Sequence, residues 1–197
     1  MAGPTGSVDT MAVIVVDYDP CWPGRFRALR QEYANALDAA SVPVIGIEHV
    51  GSTSVPGLAA KPVIDLDIVV AAIDVTAASD VLVSLGFRRL GELGIPHRWA
   101  FKEPTRLGAT NTYVVEAGSL ALRNHLAVRD TLRANSALRA EYSAVKKRVG
   151  AGAANIDEYG QGKNSTVQMI LAAAGLSEAD RASIDGNQVP SHDQLPR

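Results

Sequence analysis

The chain has 197 residues, of which 47% are hydrophobic and 20% are charged, a composition typical of a soluble domain with a sizeable core. Its formal net charge is −2, whereas a protein that binds long nucleic acids usually has a strongly basic face. The single cysteine, Cys21, excludes an internal disulfide framework and a cysteine-rich zinc site. Long polynucleotide substrates are therefore disfavoured.

The sequence predicts one domain between two loose ends. Residues 1–10 and 177–197 are expected to be flexible tails. Residues 11–176 form the predicted domain, with a sheet part over about 11–116 and a helical part over about 119–175. Apolar runs fall short of the ~18 residues of a membrane span, and the start lacks the basic and apolar regions of a signal peptide. A cytoplasmic location away from membranes is expected.

The first predicted helix follows Pro23, a residue suited to the first helical turn. Leu29, Tyr33 and Leu37 recur at helical spacing, so one face of this helix is expected to cover the core. A short β-branched run at residues 11–16 precedes it and opens the predicted sheet part.

The most informative stretch, residues 45–70, predicts two short strands joined by a loop of small residues. The first strand ends in a Gly-Ser-Thr-Ser run at residues 51–54, whose backbone N–H groups and hydroxyls suit the close wrapping of an anion. Lys61 adds a positive charge before the second strand. In that strand Asp65 and Asp67 alternate with large apolar residues, so both carboxylates share one face and form a hard-oxygen site suited to Mg²⁺.

Each half of this pattern also has a plainer interpretation. Loops of small residues are usually turns, and an Asp-x-Asp strand is often the solvated face of a half-buried sheet. The joint order is more specific, because a strand, a Gly-Ser turn, about a dozen residues and Asp-x-Asp on a second strand follow one another. This order resembles the polymerase-β-like nucleotidyltransferase superfamily.

Later segments predict further strands and helices. A helix over residues 74–85 is closed by Gly86 in a left-handed conformation. Strands are predicted at residues 87–90, 97–102 and 111–116. Three helices follow, one ending before Asn135, one beginning after a Ser136 cap and one ending before Gly175. A mixed β-sheet with covering helices and a C-terminal helical part is an α+β fold.

Several separated segments resemble the GrpB family of predicted nucleotidyltransferases, over about residues 14–174. These segments are residues 18–23, 48–65, 125–133, 142–146 and 159–163. The resemblance implies a nucleotidyltransferase-type fold and the transfer of a nucleoside monophosphate from a triphosphate to an unknown small acceptor. Relatives in some bacteria are fused to dephospho-CoA kinase, which suggests a link to coenzyme A metabolism.

Carried onto this sequence, the superfamily's Gly-Ser turn falls on Gly51 and Ser52. Its first two metal carboxylates fall on Asp65 and Asp67. Ser52, Asp65 and Asp67 are therefore the predicted catalytic residues, and the two aspartates are expected to hold Mg²⁺. The metal would bridge phosphate oxygens and neutralise the charge of the leaving pyrophosphate.

The third superfamily carboxylate has no obvious counterpart. It is expected on a later strand, where Tyr113 occupies its position in this chain. Glu116 is a nearby carboxylate but is out of phase with Tyr113 along a strand. The group that would activate the acceptor therefore stays open between these two residues.

The residues predicted to hold the phosphates of a nucleoside triphosphate offer amides, hydroxyls or positive charges. They are Gly51, Ser52, Thr53, Ser54, Lys61, Arg98, Lys102 and Lys163. Each basic side chain among them is also a candidate for an ordinary solvated charge. Glu48 and His49 directly precede the loop and are predicted to support it, whereas His97 and His125 are assigned to packing or to the surface.

Three functions stay open at this point. The first is a Mg²⁺-dependent nucleotidyltransferase acting on a small acceptor, favoured by the loop and carboxylate pattern. The second is a catalytically reduced nucleotide-binding or regulatory module, favoured by the missing third carboxylate. The third is a partner domain linked to coenzyme A metabolism. The nucleotide base, the acceptor and the oligomeric state depend on details of shape that one sequence does not reveal.

Overall fold

The computed structural model describes residues 13–186. Within this range, one mixed sheet has the strands β1 (Gly46–Val50), β2 (Ile64–Val70), β3 (Arg88–Gly91), β4 (Arg98–Lys102) and β5 (Thr110–Glu116). The α-helices are α1 (Trp22–Ala39), α2 (Val75–Ser84), α3 (Leu120–Ala134), α4 (Ser136–Gly152), α5 (Ile156–Ala173) and α6 (Glu178–Gly186). The α+β fold predicted from the sequence is confirmed.

The strand order of the sheet is β1-β2-β5-β4-β3. β2 and β5 pair in parallel, and the other neighbours are antiparallel. A parallel pair needs a long crossover connection, which α2, β3 and β4 supply here. The parallel register sets Asp65 opposite Asn111 and Asp67 opposite Tyr113. The two central strands therefore bring together residues that lie far apart in the sequence.

One face of the sheet is apolar and packs against α1 and α2. Ile64, Leu66 and Ile68 are fully buried in a core that also contains Tyr33 of α1 and Leu82 of α2. Burial of such a side chain stabilises the fold by about 1.5–3 kcal/mol. Because side chains alternate along a strand, this burial turns Asp65 and Asp67 toward the other face.

The predicted helix ends are mostly where the sequence places them. Gly86 follows α2 with a φ of +94°, and Gly175 follows α5 with a φ of +81°, as expected of left-handed glycines. The prediction of Ser136 as the cap of α4 is wrong. The side chain of Asn135 accepts a hydrogen bond from the backbone N–H of Leu138 at 3.0 Å, because a cap must stand one residue outside the helix.

The two ends of the domain differ from the prediction. Val16 forms an isolated β-bridge with Ala60, but residues 13–15 form no strand, and residues 1–12 lie outside the described residues. The segment expected to be loose from residue 177 contains α6, which Asp180 joins to Arg123 of α3 through two contacts of 3.0 and 3.2 Å. Residues 187–197 of the predicted tail also lie outside the described part. No helix between residues 13 and 186 is long and apolar enough to span a membrane.

Candidate active site

Asp65 lies beneath the loop that follows β1. A Cβ atom added to Gly51 would come within 2.1 Å of Asp65 Oδ2, and the φ of Gly51 is +66°, a conformation that suits glycine. Asn111 Nδ2 donates a hydrogen bond to Asp65 Oδ1 at 2.7 Å. Burial raises the pKa of the Asp65 carboxyl, and the bond from Asn111 opposes this shift. The predicted glycine turn and the first predicted carboxylate are therefore closely packed.

Asp67 is fully buried beside a histidine that the sequence assigns only to packing or the surface. His125 Nδ1 of α3 lies 2.7 Å from Asp67 Oδ2, and it is the donor because an ionised carboxylate only accepts. Asp67 Oδ1 is buried without a hydrogen-bond partner among the described residues. An unpartnered buried carboxylate oxygen is costly, so this atom is one that a cation would stabilise.

The two carboxylates fit a Mg²⁺ ion that also binds a nucleotide. No three His, Cys, Asp or Glu side chains are grouped as a metal site within residues 13–186. Mg²⁺ does not require such a cage, because it is commonly bound by one or two carboxylates together with phosphate oxygens of a substrate. Asp65, which faces a cavity, and the unpartnered oxygen of Asp67 supply that minimal set.

The three hydroxyl groups of loop residues 52–54 do not all point the same way. Ser54 Oγ donates to the Gly51 carbonyl at 2.6 Å, and Thr53 Oγ1 donates to the Val63 carbonyl at 3.1 Å. Both side chains are buried and hold the loop in shape. Ser52 instead faces the cavity, where its Oγ accepts a hydrogen bond from Lys146 Nζ of α4. Among the loop hydroxyls, that of Ser52 is therefore placed to meet a ligand.

Two lysines of the helical part, Lys146 and Lys163, both lie close to Asp65. Lys146 is 2% exposed, and burial lowers its pKa well below the usual value, with a further contribution from nearby Lys163. Burial and the neighbouring Lys61 lower the pKa of Lys163 to about 8. Asp65 opposes both shifts. The three lysine amines therefore lie close together around one carboxylate, and the proximity of like charges contributes to the lowered pKa of Lys146 and Lys163.

Glu48 and His49, near the end of β1, make contacts that hold the strand and the following loop in place. Arg129 of α3 binds Glu48 Oε2 at 2.6 Å and the His49 carbonyl at 3.3 Å. His49 Nε2 lies 3.1 Å from Thr53 Oγ1, and it is the donor because that hydroxyl gives its proton to Val63. Burial lowers the pKa of His49 to about 4, and Arg133 and Arg129 add to the shift. His49 is therefore neutral at physiological pH.

A cavity of about 1040 Å³ separates the carboxylate face of the sheet from helices α3 to α6. Its size suits a small-molecule ligand. The predicted site residues that line it are Ser52, Lys61, Asp65, Arg98, Lys102, Tyr113 and Lys163. Gly51 lines an adjoining cavity of about 270 Å³. The structure thus brings most of the predicted phosphate-binding residues to one space.

The two candidates for the third position have different surroundings. Tyr113 lies opposite Asp67 on β5, and the guanidinium carbon of Arg98 stands 4.4 Å from the centre of its ring. Burial raises the pKa of the Tyr113 phenol well above its usual range. Glu116 lies on the other face of β5, is bonded to His97 at 2.8 Å and does not line the cavity. Glu116 is therefore not in place to bind a metal held by Asp65 and Asp67.

Comparison with known proteins identifies the family. The GrpB protein family profile matches residues 12–173. The chain belongs to the GrpB family. The UPF0157 protein of Streptomyces coelicolor is 35% identical over 177 residues, which cover 87% of this chain and 89% of that protein. The UPF0157 protein of Halalkalibacterium halodurans is 34% identical over 169 residues, which cover 84% of each.

Solved structures agree with this family assignment. The conserved protein GrpB from Enterococcus faecalis superposes with a TM-score of 0.71 at 30% identity, over 82% of this chain and 96% of that chain. The Cid1 poly(U) polymerase superposes with a TM-score of 0.53 at 17% identity, over 76% of this chain and 50% of that chain. The latter likeness shows that the GrpB domain has a nucleotidyltransferase-like fold, as predicted.

Three residues of this GrpB site were not assigned from the sequence, namely Asn111, His125 and Lys146. A repeated Tyr-x-x-x-Lys spacing was the available signal for Lys146. On helices this spacing places each lysine beside its tyrosine, and Lys146 and Lys163 lie 5.2 and 4.6 Å from the ring centres of Tyr142 and Tyr159. His125 opens the GrpB-like segment of residues 125–133, but that segment does not reveal its contact with Asp67, which depends on how α3 crosses the sheet.

Proposed function

We propose that the chain is a Mg²⁺-dependent nucleotidyltransferase that moves a nucleoside monophosphate from a triphosphate to a small acceptor. The observation that carries this proposal is the close packing of Gly51 on Asp65, a carboxylate that lines a cavity together with several basic side chains. A glycine turn, a carboxylate and lysines at one point match the needs of a metal-bound triphosphate. The structural neighbour Cid1 has been solved with MgGTP bound, which is consistent with this use of the fold.

The reaction would be an in-line displacement at the α-phosphorus. A hydroxyl oxygen of the acceptor bonds to that phosphorus, while the bond to the oxygen that bridges to the β-phosphate breaks. Pyrophosphate leaves with the bonding electron pair, and the hydroxyl proton is released to water. Mg²⁺ bound by Asp65 and Asp67 would neutralise charge on the phosphate oxygens.

The residues around Asp65 would position the triphosphate. Ser52 offers a hydroxyl toward the cavity, and Lys61, Lys146 and Lys163 would donate hydrogen bonds to the β- and γ-phosphates. The phosphate charge would raise the lowered pKa of Lys146 and Lys163 and so favour their ammonium forms. Such positioning and charge stabilisation dominate phosphoryl-type transfers. The anionic ligand would in turn offset the cost of burying Lys146.

A second candidate is a module that binds nucleotides without transferring them. Two observations favour it. Tyr113 stands where a third carboxylate would be expected, and His125 occupies one oxygen of Asp67. A neutral phenol with a raised pKa is a poor metal ligand, so the acceptor hydroxyl would be weakly activated.

Calorimetric titration and turnover assays separate these functions. The four common ribonucleoside triphosphates would be titrated with and without Mg²⁺ into the parent, Asp65→Asn and Asp67→Asn, with the exposed Asp38→Asn as the matched control. We expect both site variants to weaken metal-dependent binding at least about tenfold, while Asp38→Asn stays like the parent. Pyrophosphate release would then distinguish transfer from binding alone.

Two results would contradict the proposal. If Asp65→Asn and Asp67→Asn bind Mg²⁺ and triphosphate like the parent, the metal site lies elsewhere. If the parent binds no triphosphate and releases no pyrophosphate, both nucleotide functions fail. A partner domain linked to coenzyme A metabolism would then be the remaining interpretation.

A further inference from the structure

Arg98 is a buried guanidinium for which the described part of the chain provides no carboxylate. Its side chain is 9% exposed, stacks over the ring of Tyr113 and lines the large cavity. Arg98 Nε is buried without a hydrogen-bond partner among residues 13–186. A buried cation left unpaired is costly, and the planar fork of arginine is shaped to receive a carboxylate or a phosphate. This side chain therefore lacks an anion.

Several acids that line the cavity or neighbour Arg98 in the sheet are already engaged with other groups. Asp65 accepts a hydrogen bond from Asn111, and Asp185 accepts one from Asn164. Glu103 is paired with Lys102 at 3.4 Å, and Glu116 is paired with His97 at 2.8 Å. Glu116 also points to the opposite face of the sheet, because it stands an odd number of residues from Tyr113 on β5. If one of these acids neutralised Arg98, its present contact would be lost. An external anion would neutralise it without that loss.

The position of Arg98 separates it from the lysine group. Arg98 is on β4, which is two strands away from β2 in the sheet, or about 10 Å at the usual strand spacing. Lys61, Lys146 and Lys163 instead gather around Asp65 and Ser52 on the other side of Tyr113. The cavity thus has two cationic regions with the carboxylates nearer to the first.

The geometry of the transfer assigns these two regions to different substrates. In an in-line displacement the attacking and leaving oxygens lie on opposite sides of the transferred phosphorus. If the lysine group and Ser52 hold the leaving pyrophosphate, the acceptor approaches from the side of Tyr113 and Arg98. Apolar side chains of Leu93, Ile95 and Pro96 line the cavity in this region, beside the cluster that contains Tyr113.

We propose that Arg98 binds the anionic group of the acceptor, so that the acceptor is a small hydroxyl compound that bears a phosphate or a carboxylate. This assignment rests on the proposed nucleotidyltransferase function and names its second substrate class. The bidentate contact would anchor one end of the acceptor, and the hydroxyl at the other end would reach the phosphorus held near Asp65. Stacking on Tyr113 fixes the plane of the guanidinium and so the direction of that contact.

The test compares three probes that differ in charge. Glycerol 3-phosphate, glycerate and uncharged glycerol would be titrated into the metal-free parent protein by NMR, and the better of the two anions identifies the anionic group. We expect Arg98→Gln to weaken binding of that anion at least about tenfold, the effect of losing a charge-assisted pair. Arg98→Lys should fall between the parent and Arg98→Gln because it keeps the charge but loses the fork. Exposed Arg88→Gln is the matched control and should bind like the parent.

A second titration, with Mg²⁺ and a triphosphate, separates the two regions of the cavity. Arg98→Gln should keep the triphosphate affinity of the parent within about twofold, whereas Lys163→Gln should weaken it at least about tenfold. Melting temperatures of all variants confirm that each is folded. Equal losses of triphosphate affinity in Arg98→Gln and Lys163→Gln would place Arg98 with the nucleotide and overturn the proposal.

Two further outcomes are decisive. Anionic probes that bind no better than glycerol, or that bind Arg98→Gln like the parent, would overturn the anion site itself. A parent that binds glycerol 3-phosphate through Arg98 but binds no triphosphate would instead overturn the proposed function and leave the anion site in place. The failure of one proposal is therefore distinguishable from the failure of the other.

Discussion

The two faces of the central sheet are built from the same strands but differ in chemistry, because one is apolar and buried and the other is polar and borders a cavity. On the face toward α1 and α2, Ile64, Leu66 and Ile68 are fully buried in apolar surroundings. On the other face, Asp65 and Asp67 stand among polar and charged groups beside a cavity of about 1040 Å³. One heptapeptide, β2, therefore supplies both the centre of the core and the centre of the candidate site, and only the alternation of side chains separates the two.

The largest expected effect on stability comes from the apolar face. Leu66→Ala removes a fully buried side chain, so we expect unfolding free energy to fall by about 2–5 kcal/mol. Urea denaturation would measure this, with Ile73→Ala as the control because Ile73 is 88% exposed. Triphosphate affinity, measured where the variant is folded, should be close to that of the parent. A parallel loss of affinity would mean that the two faces are not independent.

His49 is a polar group on the apolar side of β1, where its ring stacks on Phe26 at 4.5 Å. Its pKa of about 4 in the folded protein is below the unfolded value of about 6.5, so the unfolded chain binds the proton first as pH falls. Stability should therefore be lost between about pH 6.5 and 4, by up to about 3 kcal/mol. His49→Gln should flatten this acid dependence, whereas the exposed His97→Gln should follow the parent.

Gly51 tests the contact between the loop and the carboxylate face. Gly51→Ala adds a Cβ that would lie 2.1 Å from Asp65 Oδ2, whereas Gly118→Ala adds one that meets nothing within 4 Å at a similar positive φ. Both positions have a positive φ, but Gly51 also has a ψ of −174°, a region almost confined to glycine. Clash and backbone strain together should therefore cost about 1–3 kcal/mol more at Gly51. Gly51→Ala should also weaken metal-dependent triphosphate binding. Equal melting temperatures for the two variants would show that Asp65 moves away freely.

The smallest expected effect concerns pH and Lys163. With a pKa of about 8, Lys163 loses its positive charge between about pH 7 and 9, so triphosphate affinity should fall about tenfold over that range. Lys163→Arg should keep its affinity to higher pH because arginine stays protonated. Stability should show the opposite sign and rise from about pH 8 to 10.4, since the unfolded chain then binds more protons. An affinity that is flat with pH in the parent would exclude Lys163 from the phosphate site.

The sequence predicts the positions of residues that follow from local alternation. The two-residue period of a strand was enough to predict that Asp65 and Asp67 share one face and that the apolar residues share the other. The place of Gly51 in the turn was enough to predict its position beside the carboxylates. His125 and Lys146 escaped prediction because their contacts arise where α3 and α4 cross the sheet. A lysine that is 2% exposed also contradicts the usual expectation for this residue type. Arg98 was predicted as a phosphate ligand, but its separation from the lysine group depends on the order of strands.

The parallel pairing of β2 and β5 also fixes when the site can form during folding. Asp65 and Asn111 are 46 residues apart, Asp67 and His125 are 58 apart, and Ser52 and Lys146 are 94 apart. Contacts of such long range close late and only with most of the chain in place. A nascent chain that still lacks α4 has no Lys146 to meet Ser52, so a ligand that contacts both residues would stabilise the completed fold more than any such intermediate.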